Sequence, residues 1–99
     1  MTALAAWLDR HTTEAPAALR ARARDHVEAV GGGGRAPDLL ARAGQRALDL
    51  VVDHPGDRSA ALDLLAADAL ITLALLAQAE SAPERLGEFA STLLQTGRP

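Results

Sequence analysis

Apolar side chains recur at helical spacing through most of the chain, and short stretches rich in proline, glycine and polar residues interrupt them. Apolar residues at positions i, i+3, i+4 and i+7 share one face of an α-helix, whereas a half-buried strand alternates every second residue. The pattern therefore predicts five helices, which run from about Ala3 to His11, from Pro16 to about Val30, from Pro37 to about Asp53, from a cap at Asp57 or Ser59 to about Glu80, and from Ser81 to about Gln95.

Residues that start or stop helices lie between these segments. The glycine run Gly31–Gly34 separates the second helix from the third. We expect a flexible loop there, because the run lacks the preceding strand and the Lys-Ser/Thr ending of a phosphate-binding loop. Pro16 and Pro37 suit the first turns of the helices that they begin. Ser81, followed three residues later by Glu84, predicts a capping box for the fifth helix.

The composition favours an all-α protein with one small core. The 99 residues include 23 alanines and 17 leucines, which are strong helix formers, and only two aromatic residues. We expect residues 1–99 to fold as a single domain, a small bundle of one short N-terminal helix and four longer ones. Large side chains to fill its core are scarce, and self-association is one remedy for a small core.

The fourth helix is apolar on two sides. At 100° per residue, one broad face comprises Leu62, Leu65, Ala66, Ala69, Leu73, Leu76 and Ala77, and a nearly opposite face comprises Leu64, Ile71 and Leu75. We therefore expect this helix at the centre of the bundle. Short connections favour an antiparallel core with the third and fifth helices. The first two helices, or the same helix of another subunit, would cover its second side.

Asp68 lies between the two apolar faces of the fourth helix, beside Thr72. An unpaired buried charge costs several kcal/mol, so an enclosed carboxylate must either reach water at a groove or be paired. His26 lies on the apolar face of the second helix, and we expect it or a neighbouring arginine to contact Asp68. The pair would be either a polar clamp that fixes helix packing or an acid–base dyad. The clamp is the favoured interpretation.

Several functional classes fit the sequence poorly. The chain is acidic, with a net charge of −3 and no basic stripe, which disfavours nucleic-acid binding. A helix-turn-helix over residues 38–50 would need a turn at Gly44, where the helical periodicity continues. The absence of cysteine excludes thiolate metal sites and thiol catalysis. An oxygen-rich metal site around residues 49–57 is less favoured than a solvated charged surface. We assign no catalytic residue, no metal and no cofactor.

A membrane span is not expected either. Asp63 and Asp68 interrupt the apolar run of the fourth helix, and each would cost ~2.5–3.5 kcal/mol near the centre of a bilayer. The first ten residues lack the basic and apolar regions of a secretory signal. Together with the absence of cysteine, this favours a cytoplasmic location.

The leading hypothesis is a non-enzymatic module for protein–protein interaction or assembly, homodimeric through apolar helix surfaces. The alternative is a binding protein for a small apolar ligand in an interhelical pocket. A small enzyme or a DNA-binding regulator is a less favoured interpretation. The candidate residues for the interface or the pocket are Trp7, His26, Leu64, Asp68, Ile71, Thr72 and Leu75.

Overall fold

A computed structural model describes residues 3–96 of the chain. The helices are α1 (Ala3–His11), α2 (Ala17–Val30), α3 (Ala36–Asp53), α4 (Arg58–Ser81) and α5 (Leu86–Thr96), with a short 3-10 turn (Pro83–Arg85) before α5. No strand occurs within residues 3–96. The predicted all-α fold, with a short first helix and a long apolar fourth helix, is confirmed.

The helices end close to the predicted positions because the residues that interrupt the pattern terminate them. Asp57 caps α4, and its carboxylate accepts a hydrogen bond from the backbone N–H of Ser59 at 2.9 Å. Gly31 follows α2 with a φ of 52°, in the left-handed region that favours glycine. The capping box predicted at Ser81 is wrong. Helix α4 continues through Ser81, whose hydroxyl donates to the carbonyl of Ala77 at 3.0 Å.

The core is built from α3 packed along α4, with α2 in contact with both. The α3–α4 contact is close because small residues line it. A β-carbon added at Gly44 would lie 2.8 Å from Cγ1 of Ile71 and 3.4 Å from the carbonyl oxygen of Ala67. Ala43 and Ala47, on the same side of α3, are fully buried. Any side chain at Gly44, or one larger than alanine at Ala43 or Ala47, would force these two helices apart.

The buried face of α4 shares only Ala66 and Ala77 with the two apolar faces predicted for it. It is a stripe of small and polar residues that comprises Ala60, Asp63, Ala66, Ala67, Leu70, Ala74, Ala77 and Gln78. The close approach of α3 favours the side of α4 with the smaller side chains. Every leucine of α4 except Leu70 therefore lies on its flanks or its outer surface. Helix α4 therefore contacts α2, α3 and α5, but one of its sides is not covered by any other part of residues 3–96.

Helix α5 contributes less to the core than the sequence predicted. None of residues 86–95 is fully buried, and Leu94 is exposed. Phe89 is half-buried against the core, and a groove separates α5 from α3. Helix α1 is better anchored, because Leu8 is fully buried in the same hydrophobic cluster as Leu40 and Leu70.

Candidate functional site

A buried cluster of four polar residues, Arg22, His26, Arg46 and Asp63, joins three helices on the inner side of α4. Asp63 Oδ1 accepts a hydrogen bond from Arg22 Nη1 at 2.7 Å and lies 2.9 Å from His26 Nε2. Asp63 and His26 are both buried, whereas the side chain of Arg22 is 28% exposed. Arg22 also reaches the hydroxyl of Ser59 at 3.4 Å, near the start of α4.

The neighbours of His26 determine which of its ring nitrogens carries the proton. Arg46 of α3 lies 2.5 Å from His26 Nδ1 through its Nη1. A guanidinium can only donate, so Nδ1 accepts and the proton resides on Nε2. Nε2–H then donates to the carboxylate of Asp63. One chain of hydrogen bonds therefore connects α3 through α2 to α4.

The predicted contact of His26 or an arginine with Asp68 is not formed. Both residue types instead contact another aspartate of the same helix. His26 and an arginine of α2 converge on Asp63, one and a half turns before Asp68 on the same helix. Asp68 lies on the opposite side of α4, where it is exposed. The sequence did contain a signal for Asp63, because it belongs to the stripe of small residues with Leu70 and Ala74 that packs inward.

The electrostatic environment keeps Asp63 ionised. Burial alone would raise the pKa of its carboxyl group, but the hydrogen bonds from Arg22 and His26, together with the positive charge of Arg22, outweigh burial and hold the pKa below its usual value of 3.8. The carboxylate is therefore a paired group rather than a proton donor at neutral pH.

The buried cluster is poorly arranged for catalysis. His26 is 1% exposed, and Asp63 and Arg46 occupy both of its ring nitrogens. An acid–base catalyst needs a nitrogen within hydrogen-bond distance of a substrate. A polar clamp that fixes the packing of α2, α3 and α4 accounts for every contact in the cluster.

Trp7 has a different role from the pocket residue envisaged in the sequence. Its indole Nε1 donates to Oε1 of Glu80 at 3.1 Å, and its ring stacks on His11 with 4.0 Å between centroids. His11 Nε2 lies 3.9 Å from the same carboxylate. These contacts tie α1 to the last turn of α4.

The remaining candidates from the sequence lie on the uncovered side of α4. We call this surface the outward face; it comprises Ala61, Leu64, Leu65, Asp68, Thr72, Leu75, Leu76 and Ala79. Leu64, Leu65 and Leu76 are 51%, 57% and 40% exposed, and Leu75 is half-buried. Ile71 lies at the edge of the outward face, against Gly44 of α3. Asp68 is the only charged residue in this set.

None of three surface grooves within residues 3–96 is lined by both His26 and Asp68. One of about 390 Å³ lies between the α1–α2 connection and α4, and Asp68, Ala69 and Thr72 line it. One of about 430 Å³ lies between α3 and α5. One of about 780 Å³ lies between α1, α2 and the start of α3. Trp7 lines none of them, so the predicted combination of polar groups in one pocket does not form in these grooves.

Helix α4 is long and apolar enough to cross a membrane by length and composition alone. Its most apolar 18-residue window has a mean hydropathy of 2.0, and 39% of that window is buried inside the bundle. One such helix is weak evidence, because core helices of soluble proteins meet the same criterion. No group of three or more acidic or histidine side chains within residues 3–96 is placed to hold a metal ion.

Comparison of the chain with protein-family models, with curated proteins and with solved structures found no match. The arrangement of its own residues is therefore the basis for assigning a function.

Proposed function

We propose that the protein is a non-enzymatic assembly module that self-associates through the outward face of α4. The observation that carries the proposal is the exposure of Leu64, Leu65 and Leu76 on one side of a single helix, within a face that holds one charge. Large contiguous apolar surfaces are rare on monomers and are typical of interaction sites.

The distribution of small and large apolar residues around α4 supports this proposal. Alanines fill most of its buried stripe, whereas several of its leucines face outward. Burial of apolar surface stabilises a protein by about 25 cal/mol per Å². About half of the surface of Leu64, Leu65 and Leu76 is exposed, and it adds to stability only when another molecule covers it. A second copy of the chain supplies a surface of the same length and composition.

A small apolar ligand is the second candidate, favoured by the groove of about 390 Å³ beside Asp68 and Thr72. Such a ligand would be held by the connection between α1 and α2 and by α4, without His26. A ligand that binds the folded state raises the unfolding midpoint with its concentration. The groove includes Asp68 and Thr72 of the outward face, so a bound ligand would also reduce self-association.

Sedimentation equilibrium over about 1–200 μM tests the proposal, because this range brackets a micromolar dissociation constant. We expect a reversible shift from monomer to dimer as the concentration rises. The substitution Leu65→Glu should abolish the shift, since it places a charge at the centre of the apolar face. Val52→Glu is the matched control, because Val52 is an exposed apolar residue at the end of α3.

Two results would contradict self-association. A wild-type chain that remains monomeric over the whole range would exclude it. Equal effects of Leu65→Glu and Val52→Glu would show that the outward face of α4 is not the contact surface.

A further inference from the structure

We infer that two copies pair in antiparallel orientation through the outward face of α4, so that Asp68 accepts a hydrogen bond from the partner subunit's Thr72. The twofold axis crosses the outward face at the height of Leu70 along the helix. This arrangement rests on the proposed self-association and specifies its geometry. Three features of α4 lead to it: the spacing of its outward residues, their mirror symmetry about Leu70, and the unpaired polar groups at their centre.

The central line of the outward face has the spacing of a helix-pairing seam. Its residues are separated by four, three, four, three and four positions: Ala61, Leu65, Asp68, Thr72, Leu75 and Ala79. A repeat of 3.5 residues keeps one line of side chains facing a partner helix along its length. The seam extends about 27 Å, at 1.5 Å per residue over residues 61–79.

The seam is nearly symmetric about Leu70. A twofold axis perpendicular to the helix at that position places residue i of one copy opposite residue 140 − i of the other. Leucine then meets leucine, alanine meets alanine, and aspartate meets threonine, in the pairs Leu65 with Leu75, Leu64 with Leu76, Ala61 with Ala79, and Asp68 with Thr72. A twofold dimer requires this kind of self-complementary surface.

The polar pair at the centre selects orientation and register. Within residues 3–96, neither Asp68 nor Thr72 forms a side-chain hydrogen bond or ion pair, so both are available to another chain. A threonine hydroxyl donates and a carboxylate accepts, and a hydrogen bond to an ionised acceptor is stronger than a neutral one. The antiparallel pairing makes this bond twice. A parallel pairing in register would instead place Asp68 against its own copy, where like charges repel.

The neighbouring elements leave the seam open. Ile71, on one flank, packs against α3 at Gly44. On the other flank, the α1–α2 connection and α4 form an open groove lined by Asp68, Ala69, Thr72 and Leu73 of α4. Leu65, Asp68 and Thr72 between these flanks are exposed. Permanent interfaces are typically large and strongly hydrophobic, whereas the seam is one helix face that holds a charged residue, so we expect a reversible dimer rather than a permanent one.

Disulfide formation between single-cysteine variants tests the geometry, because the natural chain has no cysteine. A disulfide requires Cα atoms about 4.4–6.8 Å apart. In the antiparallel dimer, Leu65 lies beside the partner's Leu75, whereas the two copies of Leu65 lie about 15 Å apart along the axis, at 1.5 Å per residue. We expect a mixture of Leu65→Cys and Leu75→Cys to form a cross-linked dimer under mild oxidation, and Leu65→Cys alone to form none.

The outcomes of this experiment separate the geometry from the proposed function. Cross-linking of Leu65→Cys to itself, or no cross-link in the mixture while sedimentation shows a wild-type dimer, would overturn the antiparallel arrangement but keep self-association. A monomer in sedimentation with no cross-link in any sample would overturn both. Circular dichroism of each variant verifies that it is folded.

Adding a charge at the centre of the seam, and then exchanging the two polar residues, gives a second, independent test. Thr72→Asp places a carboxylate opposite the partner's Asp68, and we expect dimerisation to weaken at least about tenfold. Ser91→Asp, at an exposed position of α5, is the matched control and should change affinity less than about twofold. The double variant Asp68→Thr with Thr72→Asp restores the aspartate–threonine pair and should recover most of the affinity. Failure of this recovery in a folded protein would contradict the pairing.

Discussion

Replacing Asp63 with alanine should destabilise the bundle strongly, because it removes the acceptor at the centre of the buried cluster. The carboxylate accepts hydrogen bonds from Arg22 at 2.7 Å and from His26 at 2.9 Å, and these bonds connect α2 to α4. Alanine fits the surrounding stripe of small residues, so no clash accompanies the change. The loss of stability then reports the unsatisfied polar groups.

The size of the effect follows from how each partner is placed. His26 is 1% exposed, so its Nε2–H loses its acceptor without access to water, which costs about 1–3 kcal/mol. The side chain of Arg22 is 28% exposed and can turn towards solvent, which keeps its contribution small. With the lost attraction between charges, we expect a total of about 2–4 kcal/mol, below the 3–5 kcal/mol typical of breaking a fully buried pair. This corresponds to a lowering of the melting temperature by roughly 10–25 °C.

Urea denaturation followed by circular dichroism and by Trp7 fluorescence measures this loss. Asp68→Ala is the matched control, because it removes a carboxylate from the exposed side of the same helix and should change stability by less than about 0.5 kcal/mol. Both variants are compared at about 1 μM protein, where dimerisation contributes little. Equal destabilisation by the two substitutions, or less than about 0.5 kcal/mol for Asp63→Ala, would refute the role of the cluster.

Three further predictions address pH, helix packing and the first helix. Because the pKa of Asp63 lies below 3.8 in the folded state, its stabilising contribution is complete above that pH and is lost as the pH falls through the folded-state pKa; acid titration of unfolding should therefore show the difference between wild type and Asp63→Asn shrinking below about pH 4, and a constant difference would contradict this. Gly44→Val should destabilise the fold by about 1–3 kcal/mol in urea titrations, since the added carbon atoms meet Ile71; unchanged stability would mean that α3 and α4 do not approach so closely. Leu8→Ala should cost about 2–5 kcal/mol because Leu8 is fully buried, and a cost below about 1 kcal/mol would show that α1 is not part of the core.

The sequence predicted the helices well because local residues determine where they begin and end. Pro16, the glycine run Gly31–Gly34 and Asp57 act within a few residues of their own positions. The failure at Ser81 has the same local origin. A serine hydroxyl can cap the next helix or donate to a carbonyl of its own helix, and here it donates to the carbonyl of Ala77.

The sequence predicted the wrong inner face for α4 because the apolar pattern ranks faces by the size of their side chains. The pattern placed the large leucines inside, whereas the close approach of α3 at Gly44 makes the alanine stripe the better fit. The aspartate of that stripe is tolerated inside only because Arg22 and His26 satisfy it. Arg22 and His26 lie about forty positions before Asp63 in the chain. Their contact with it depends on how the helices pack together, which the apolar periodicity of each helix does not predict.

The residues of the outward face of α4 can be predicted from the sequence better than the face itself. The sequence indicates Leu64, Asp68, Thr72 and Leu75 as interface or pocket residues, and they share this face in the structure. It also indicates His26 and Trp7, but their side chains hold the bundle together. Polar residues on apolar helices therefore divide here into an inner set that fixes packing and an outer pair available to another molecule.

A dilution series of amide chemical shifts in the ¹⁵N-labelled wild-type protein tests the central claim most directly, because it locates any contact residue by residue. We predict concentration-dependent shifts centred on Leu65, Asp68 and Thr72, with the buried cluster around Asp63 unaffected. Shifts absent at every concentration, or confined to the groove between α3 and α5, would contradict the claim that the outward face of α4 is the interaction surface.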